Sequence, residues 1–62
     1  MYQRLRALIE KKQITIYKLC KEVNISKSTI YAWRNGDYTP KVDKLQKIAD
    51  YFGVPLDYFY KD

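Results

Sequence analysis

Three side chains near the middle of the sequence are of types that can contact nucleotides. Lys27 carries an ammonium group that can donate to acceptors such as O6 and N7 of guanine, and the Ser28 hydroxyl can serve several bases. Tyr31 can touch a thymine methyl group or reach a phosphate with its hydroxyl. All three, with Arg34, fall on one side of a helix if this segment is helical.

Residues suited to catalysis or metal binding are scarce. The chain has no histidine and one cysteine, Cys20, whereas a zinc site needs several such ligands. Cys20 cannot form an internal disulfide, which suits a reducing compartment, and we expect it to be a small buried apolar side chain. Asp43, Asp50 and Asp57 are spaced seven apart but resemble solvated surface. We therefore predict no metal, no cofactor and no enzymatic activity.

Positive charge is concentrated in the first two thirds of the chain. The net charge is +5; residues 1–41 contain nine lysines and arginines against three acidic residues, and residues 42–62 contain three against four. A basic N-terminal part followed by a nearly neutral C-terminal part indicates that one region of the protein faces a polyanion.

No apolar run approaches the roughly 18 to 20 residues of a membrane span, and the N-terminus is too polar for a signal peptide. We expect a soluble, cytoplasmic protein.

Apolar periodicity predicts an all-α chain that forms a single domain over residues 1–62. The predicted helices are about Tyr2–Lys12, Ile16–Val23, Lys27–Asn35, Val42–Phe52 and a short fifth helix with Pro55 in its first turn that ends near Tyr60. Their inward positions are Leu5, Leu8, Ile9, Leu19, Cys20, Val23, Ile30, Trp33, Leu45, Ile48, Ala49 and Phe52. No run alternates with period two over a useful length, so no sheet is predicted.

Residues that favour helix ends separate these segments. Thr15 and Ser26 are expected N-caps, since their hydroxyls can accept a backbone N–H of the first helical turn. Asn24, Gly36 and Gly53 follow three of the helices and tolerate the left-handed backbone that commonly ends a helix.

Residues Ile16–Asn35 are therefore predicted to form a helix, a three-residue turn and a second helix. Two helices that cross steeply need a small residue where they approach, and Cys20 supplies it. The turn needs a residue that tolerates positive φ, which Asn24 does. The second helix must be held down by apolar residues, here Leu19, Ile25, Ile30 and Trp33.

The segment LCKEVNISKSTIYAWRNGDYTP resembles the helix-turn-helix of the Cro/CI, or Xre-type, phage repressors and bacterial regulators. The following VDKLQKIADYFGVPLDYFY resembles the two helices that complete that domain, and the resemblance extends from about Leu5 to Phe59. It implies a compact five-helix bundle of the lambda-repressor type, binding to operator DNA and a two-fold homodimer.

Carried over by position, the resemblance places base contacts on Lys27, Ser28 and Tyr31, with Thr29 nearby. Asn35 matches a position that often binds backbone phosphate. Helix ends and basic residues around a groove commonly supply phosphate contacts. The full set of candidate phosphate contacts is Thr15, Tyr17, Lys18, Arg34, Asn35, Tyr38 and Lys41.

The sequence departs from the family pattern at two positions. Ile16 stands where the family often has a glutamine that binds phosphate and braces the reading helix, and isoleucine can do neither. Arg34 stands where the family often has a glutamate. This change removes a repulsive charge near DNA, and a phosphate contact can take its place.

Aromatic residues crowd the C-terminal end of the chain. Phe59 and Leu56 can close the core while the tyrosines stay half-exposed, or the group can form a dimer contact, since contiguous apolar surface favours association. We favour the dimer, with an interface of Tyr51, Leu56, Tyr58, Phe59 and Tyr60.

The leading hypothesis is a sequence-specific DNA-binding transcriptional regulator, most simply a repressor, that reads double-stranded DNA with the helix Lys27–Asn35 and is associated with the nucleoid of a bacterial or phage-infected cell. The alternative is a protein-interaction module such as an antitoxin, which would keep the fold without needing Lys27 and Ser28.

Overall fold

The computed structural model describes residues 1–60, and these form helices connected by short turns. Four α-helices span Tyr2–Lys12 (α1), Ile16–Val23 (α2), Lys27–Asn35 (α3) and Val42–Phe52 (α4), followed by a 3₁₀ helix, Leu56–Tyr60. No strand occurs within residues 1–60. The all-α prediction and the bounds of the four α-helices are confirmed. The predicted single domain of residues 1–62 extends two positions beyond the described part.

The fifth helix differs from the prediction of a five-helix α bundle. It is a single five-residue 3₁₀ segment, and its first hydrogen bond runs from the Tyr58 N–H to the Pro55 carbonyl at 3.0 Å. Pro55 therefore immediately precedes the helix. So short a segment gains little from the wider α-helical turn, and short 3₁₀ pieces of this kind are frequent as connectors and helix termini.

The two helices of the central motif begin at the predicted N-caps. The Thr15 hydroxyl accepts the backbone N–H of Lys18 at 3.0 Å, and the Ser26 hydroxyl accepts that of Thr29 at 3.3 Å. Each bond satisfies one of the backbone N–H groups left without a partner at the start of a helix. Between the helices, Asn24 adopts φ 57° and allows the chain to change direction.

Left-handed residues also end the other α-helices. Gly36 (φ 81°) follows α3 and Gly53 (φ 71°) follows α4, as predicted. Gln13 (φ 57°) follows α1 and donates its N–H to the Glu10 and Ile9 carbonyls. A glutamine in this conformation carries no recognisable sequence signal, so this helix end was not predicted as left-handed.

One apolar core joins all of the helices. α2 packs on α3 and α4, and the 3₁₀ helix closes against α1 and α4. Every residue predicted to face inward is buried; the core also includes Ile25 and Phe59, and Leu56 packs against it while half-exposed. Ile30 has no exposed surface and Trp33 is 7% exposed, so α3 is fixed to the core by two large side chains.

No helix in residues 1–60 is both long enough and apolar enough to cross a lipid bilayer.

Candidate nucleic-acid interface

The outer side of α3 carries the polar residues predicted from its spacing. Lys27, Ser28, Tyr31 and Arg34 are all exposed. Lys27, Tyr31 and Arg34 stand at i, i+4 and i+7, which places them along one stripe of the helix. We call these four residues the α3 outer face. The structure thus brings them together on a single surface, opposite the side chains that enter the core.

Thr29 lies at the edge of the α3 outer face. Its side chain is half-buried and its hydroxyl lies 2.8 Å from the Ser26 hydroxyl. The Ser26 hydroxyl is also 3.1 Å from that of Ser28. The cap of α3 and the first polar positions of its outer face therefore form one local network of hydroxyl groups.

Both cations of the α3 outer face lie against tyrosine rings. The Lys27 Nζ is 5.5 Å from the centroid of the Tyr17 ring, and the Arg34 guanidinium carbon is 4.9 Å from that of Tyr31. These distances fall within the range in which a ring quadrupole attracts a cation. The Arg34 Nε also donates to the Asn35 side-chain oxygen at 3.4 Å.

The α3 outer face is electropositive. Residues 23–36 contain no aspartate or glutamate. Within residues 1–60, neither Lys27 nor Arg34 is ion-paired with a carboxylate; the Arg6–Glu10 pair, at 3.1 Å, lies on α1. The two cations therefore remain available to an anionic partner.

The residues predicted to contact phosphate are exposed and lie at the start of α2, on α3 and in the loop before α4. Tyr38 and Lys41 line a shallow cleft together with Thr29 and Trp33, which brings the loop beside α3. On α2, Tyr17 is joined to α3 through Lys27. The set comprises seven residues, all of them exposed: Thr15, Tyr17, Lys18, Arg34, Asn35, Tyr38 and Lys41.

Cys20 lies inside the helix-turn-helix, where a small residue was expected. It is buried and has no disulfide partner within residues 1–60. Burial raises the pKa of its thiol above the ordinary value of 9.0, and the Lys27 ammonium and a backbone hydrogen bond offset part of that rise. The thiol is therefore held in its neutral form near pH 7.

The C-terminal aromatic group is only partly a surface. Phe59 is 2% exposed and belongs to the core, so it offers no area to a second molecule in this conformation. Tyr51 and Tyr60 are exposed, and Leu56 and Tyr58 are half-exposed. Four of the five predicted residues therefore keep exposed surface, and we call these four together the C-terminal patch.

The C-terminal patch is held in place by ring contacts. Tyr51 packs edge-on against Phe52 with the centroids 5.1 Å apart, and Tyr58 packs edge-on against Phe59 at 5.5 Å. The Arg4 guanidinium carbon lies 5.2 Å from the Tyr58 centroid, which connects α1 to the patch.

No set of three or more histidine, cysteine, aspartate or glutamate side chains within residues 1–60 is placed to hold a metal ion.

The contact between Tyr17 and Lys27 could not be predicted from the sequence, because it depends on how α2 and α3 cross. The Tyr31–Arg34 contact was accessible from sequence, since residues three apart are neighbours on a helix.

Comparison with known proteins agrees with this geometry. The family model described as "Helix-turn-helix" matches residues 5–59, nearly the whole chain. No curated protein and no solved structure gives a significant match. The matched family consists of DNA-binding regulatory domains, which are not typically enzymes. The chain therefore belongs to the Cro/CI, Xre-type helix-turn-helix family of DNA-binding regulators.

Proposed function

We propose that this protein is a sequence-specific transcriptional repressor that inserts α3 into the major groove of an operator. The observation that carries the proposal is the α3 outer face, which presents two cations and no carboxylate and is held outward by the buried Ile30 and Trp33. A major groove is wide enough to admit an α-helix and is lined with hydrogen-bond acceptors.

Base contacts are assigned to the first half of α3. Lys27 and Ser28 are exposed in its first turn, where the recognition helix of a helix-turn-helix contacts base edges. Tyr31 stands one turn further along the same stripe. Thr29 is a weaker candidate because it is half-buried and hydrogen-bonded to Ser26.

Phosphate contacts are assigned to exposed residues around that helix. The α2 N-terminus offers Thr15, Tyr17 and Lys18, and the C-terminal end of α3 offers Arg34 and Asn35, followed by Tyr38 and Lys41 in the loop. Contacts of this kind fix the register of the protein on the duplex and make its affinity strongly dependent on salt.

We further propose a two-fold homodimer formed through the C-terminal patch. Tyr51, Leu56, Tyr58 and Tyr60 supply exposed or half-exposed ring and aliphatic surface on the closing 3₁₀ helix and the end of α4. A dimer would present two copies of α3 to an inverted-repeat operator, with half-sites about 34–36 Å apart. Repression would follow from occupation of DNA that polymerase requires, at the nucleoid in the cytoplasm.

The test begins by selecting bound fragments from random double-stranded DNA. An inverted repeat is the expected product. Affinities for the selected duplex are then compared for the wild type, the double variant K27A/S28A and the control K47A, which removes an equal charge from an exposed position on α4. We expect K27A/S28A to weaken binding by at least tenfold, from the loss of base contacts worth about 1–3 kcal/mol each, with unchanged helical circular dichroism.

Wild-type affinity in a folded K27A/S28A protein would exclude α3 as the reading helix. Failure of the wild type to retard any duplex at low salt would favour the protein-interaction module instead.

A further inference from the structure

The contact between Tyr17 and Lys27 joins the two helices of the motif on their outer side. Tyr17 is the second residue of α2 and Lys27 is the first residue of α3, and the ammonium lies 5.5 Å from the ring centroid. Tyr17 is 63% exposed, so its ring is not part of the core. The contact is therefore a surface arrangement whose main effect falls on the position of Lys27.

The Lys27 side chain is flexible, so a contact that restrains its ammonium has a large effect on where that charge lies. A lysine side chain is a flexible four-carbon stem with a point charge, and it loses much of its rotamer freedom when its ammonium is fixed. A flexible stem leaves the position of the ammonium poorly defined, and such a charge distinguishes poorly between phosphates and base edges. A ring on one side limits where it rests and leaves N–H groups on the other side free to donate.

The second cation of the α3 outer face is held differently. Arg34 lies over Tyr31, three residues before it on the same helix. That contact moves with α3 as a unit. The Lys27 contact instead fixes a side chain of α3 relative to α2. The angle between α2 and α3 therefore determines both the orientation of α3 and the position of the Lys27 ammonium.

We propose that Tyr17 is a positioning residue that determines specificity: its ring holds the Lys27 ammonium against one guanine of the operator and so strengthens discrimination at that base pair. The inference rests on the proposed function. It is separate from the phosphate contact proposed for the Tyr17 hydroxyl, because a phosphate contact changes affinity for all sequences by about the same factor, whereas positioning of a base-reading group changes their ratio.

The experiment measures that ratio. Each base pair of the selected duplex is substituted in turn, and the position where K27A loses discrimination identifies the pair read by Lys27. Discrimination there is the ratio of the dissociation constants for the substituted and original duplexes. It is then measured for wild type, Y17F, Y17L and Y17L/K27A. Y38L, which removes another exposed tyrosine assigned to phosphate, is the matched control.

We expect Y17L to reduce discrimination at this base pair by about two- to fivefold, the range of an exposed cation–π contact. Y17F keeps the ring and should restore the wild-type ratio, even if loss of the hydroxyl weakens binding to every duplex. In the K27A background, Y17L should have no further effect on the ratio. Y38L should lower both affinities by the same factor.

A spectroscopic readout in the absence of DNA completes the test. The ring should shift the Lys27 ε-methylene proton resonances upfield in wild type and Y17F, and this shift should be lost in Y17L. An unchanged ratio in Y17L, or a ratio lowered equally in Y17F, overturns the inference while leaving the proposed function intact. A wild-type protein that binds no duplex overturns the proposed function and the inference with it.

Discussion

The Ser26 hydroxyl accepts the Thr29 backbone N–H at 3.3 Å and lies 2.8 Å from the Thr29 hydroxyl. This pairing fixes the first turn of α3 at the point where its outer face begins. A cap at this position therefore affects both the stability of the helix and the orientation of the Lys27 and Ser28 side chains, which belong to its first turn.

Replacing Ser26 by alanine should lower the free energy of unfolding by about 1 kcal/mol, the usual value of an N-cap hydroxyl. Urea denaturation followed by circular dichroism measures the change. S28A is the matched control, because the Ser28 hydroxyl accepts no backbone N–H of α3 in the described structure. Equal midpoints for S26A and S28A would contradict the capping role.

Trp33 anchors α3 from the opposite side. It is 7% exposed, and W33A should cost about 3–5 kcal/mol through lost burial and the cavity left behind. A core of this size rarely supplies more than about 3–5 kcal/mol of net stability, so we expect W33A to be largely unfolded at room temperature by far-UV circular dichroism. W33F, which keeps most of the apolar volume, should remain folded. Native helicity in W33A would show that α3 is held by other contacts.

The Cys20 thiol should give stability a component that depends on pH. Its pKa in the folded protein is raised above 9.0 by burial, so the folded state binds this proton more tightly than the unfolded chain. The contribution is fully present below pH 9.0 and is lost as the pH rises through the higher folded value. The stability of wild type relative to C20A should therefore stay constant near neutral pH and fall as the pH rises above 9.0.

Urea unfolding of both proteins under reducing conditions tests this sign. Every other ionisable group is common to wild type and C20A, so its contribution cancels in the difference to first order. A difference that stays constant or grows with pH would mean that the thiol is not desolvated by the fold.

The helix bounds were predictable because their causes are local. Amphipathic spacing and the residues Thr15, Asn24, Ser26 and Gly36 each act within a turn or two of the chain. Gln13 was missed because glutamine adopts a left-handed conformation only when the surrounding structure requires it. The 3₁₀ form of Leu56–Tyr60 was not predictable, because a five-residue segment is too short for apolar spacing to separate a 3₁₀ helix from an α-helix.

The membership of the α3 outer face was predictable for the same reason, since helical spacing alone separates Lys27 and Arg34 from Ile30. What spacing does not define is the partner of each cation across helices. Tyr17 and Lys27 are ten positions apart, and their contact follows from the angle at which α2 and α3 meet. The burial of Phe59 likewise depends on tertiary packing, so the sequence alone does not distinguish it from the exposed aromatic residues around it.

Tyr60 offers the most direct test of the proposed dimer. It is 57% exposed on the C-terminal patch, so a charged side chain is accommodated in the monomer but opposes contact between two apolar patches. We expect Y60E to shift the protein toward monomer in sedimentation-velocity experiments. At concentrations low enough for both proteins to be monomeric, its unfolding free energy should differ from that of the wild type by no more than about 0.5 kcal/mol. Y38E places the same charge on another exposed tyrosine outside the patch and should leave the association state unchanged.

The effect on DNA follows from the symmetry of the interface. A monomeric Y60E should bind a single half-site like the wild type, because α3 is untouched, but should lose the additional affinity for two half-sites spaced by one helical turn, since the second reading helix is no longer tethered. If Y60E and wild type sediment alike, or if both bind the inverted repeat no better than a half-site, the dimer does not form through the C-terminal patch.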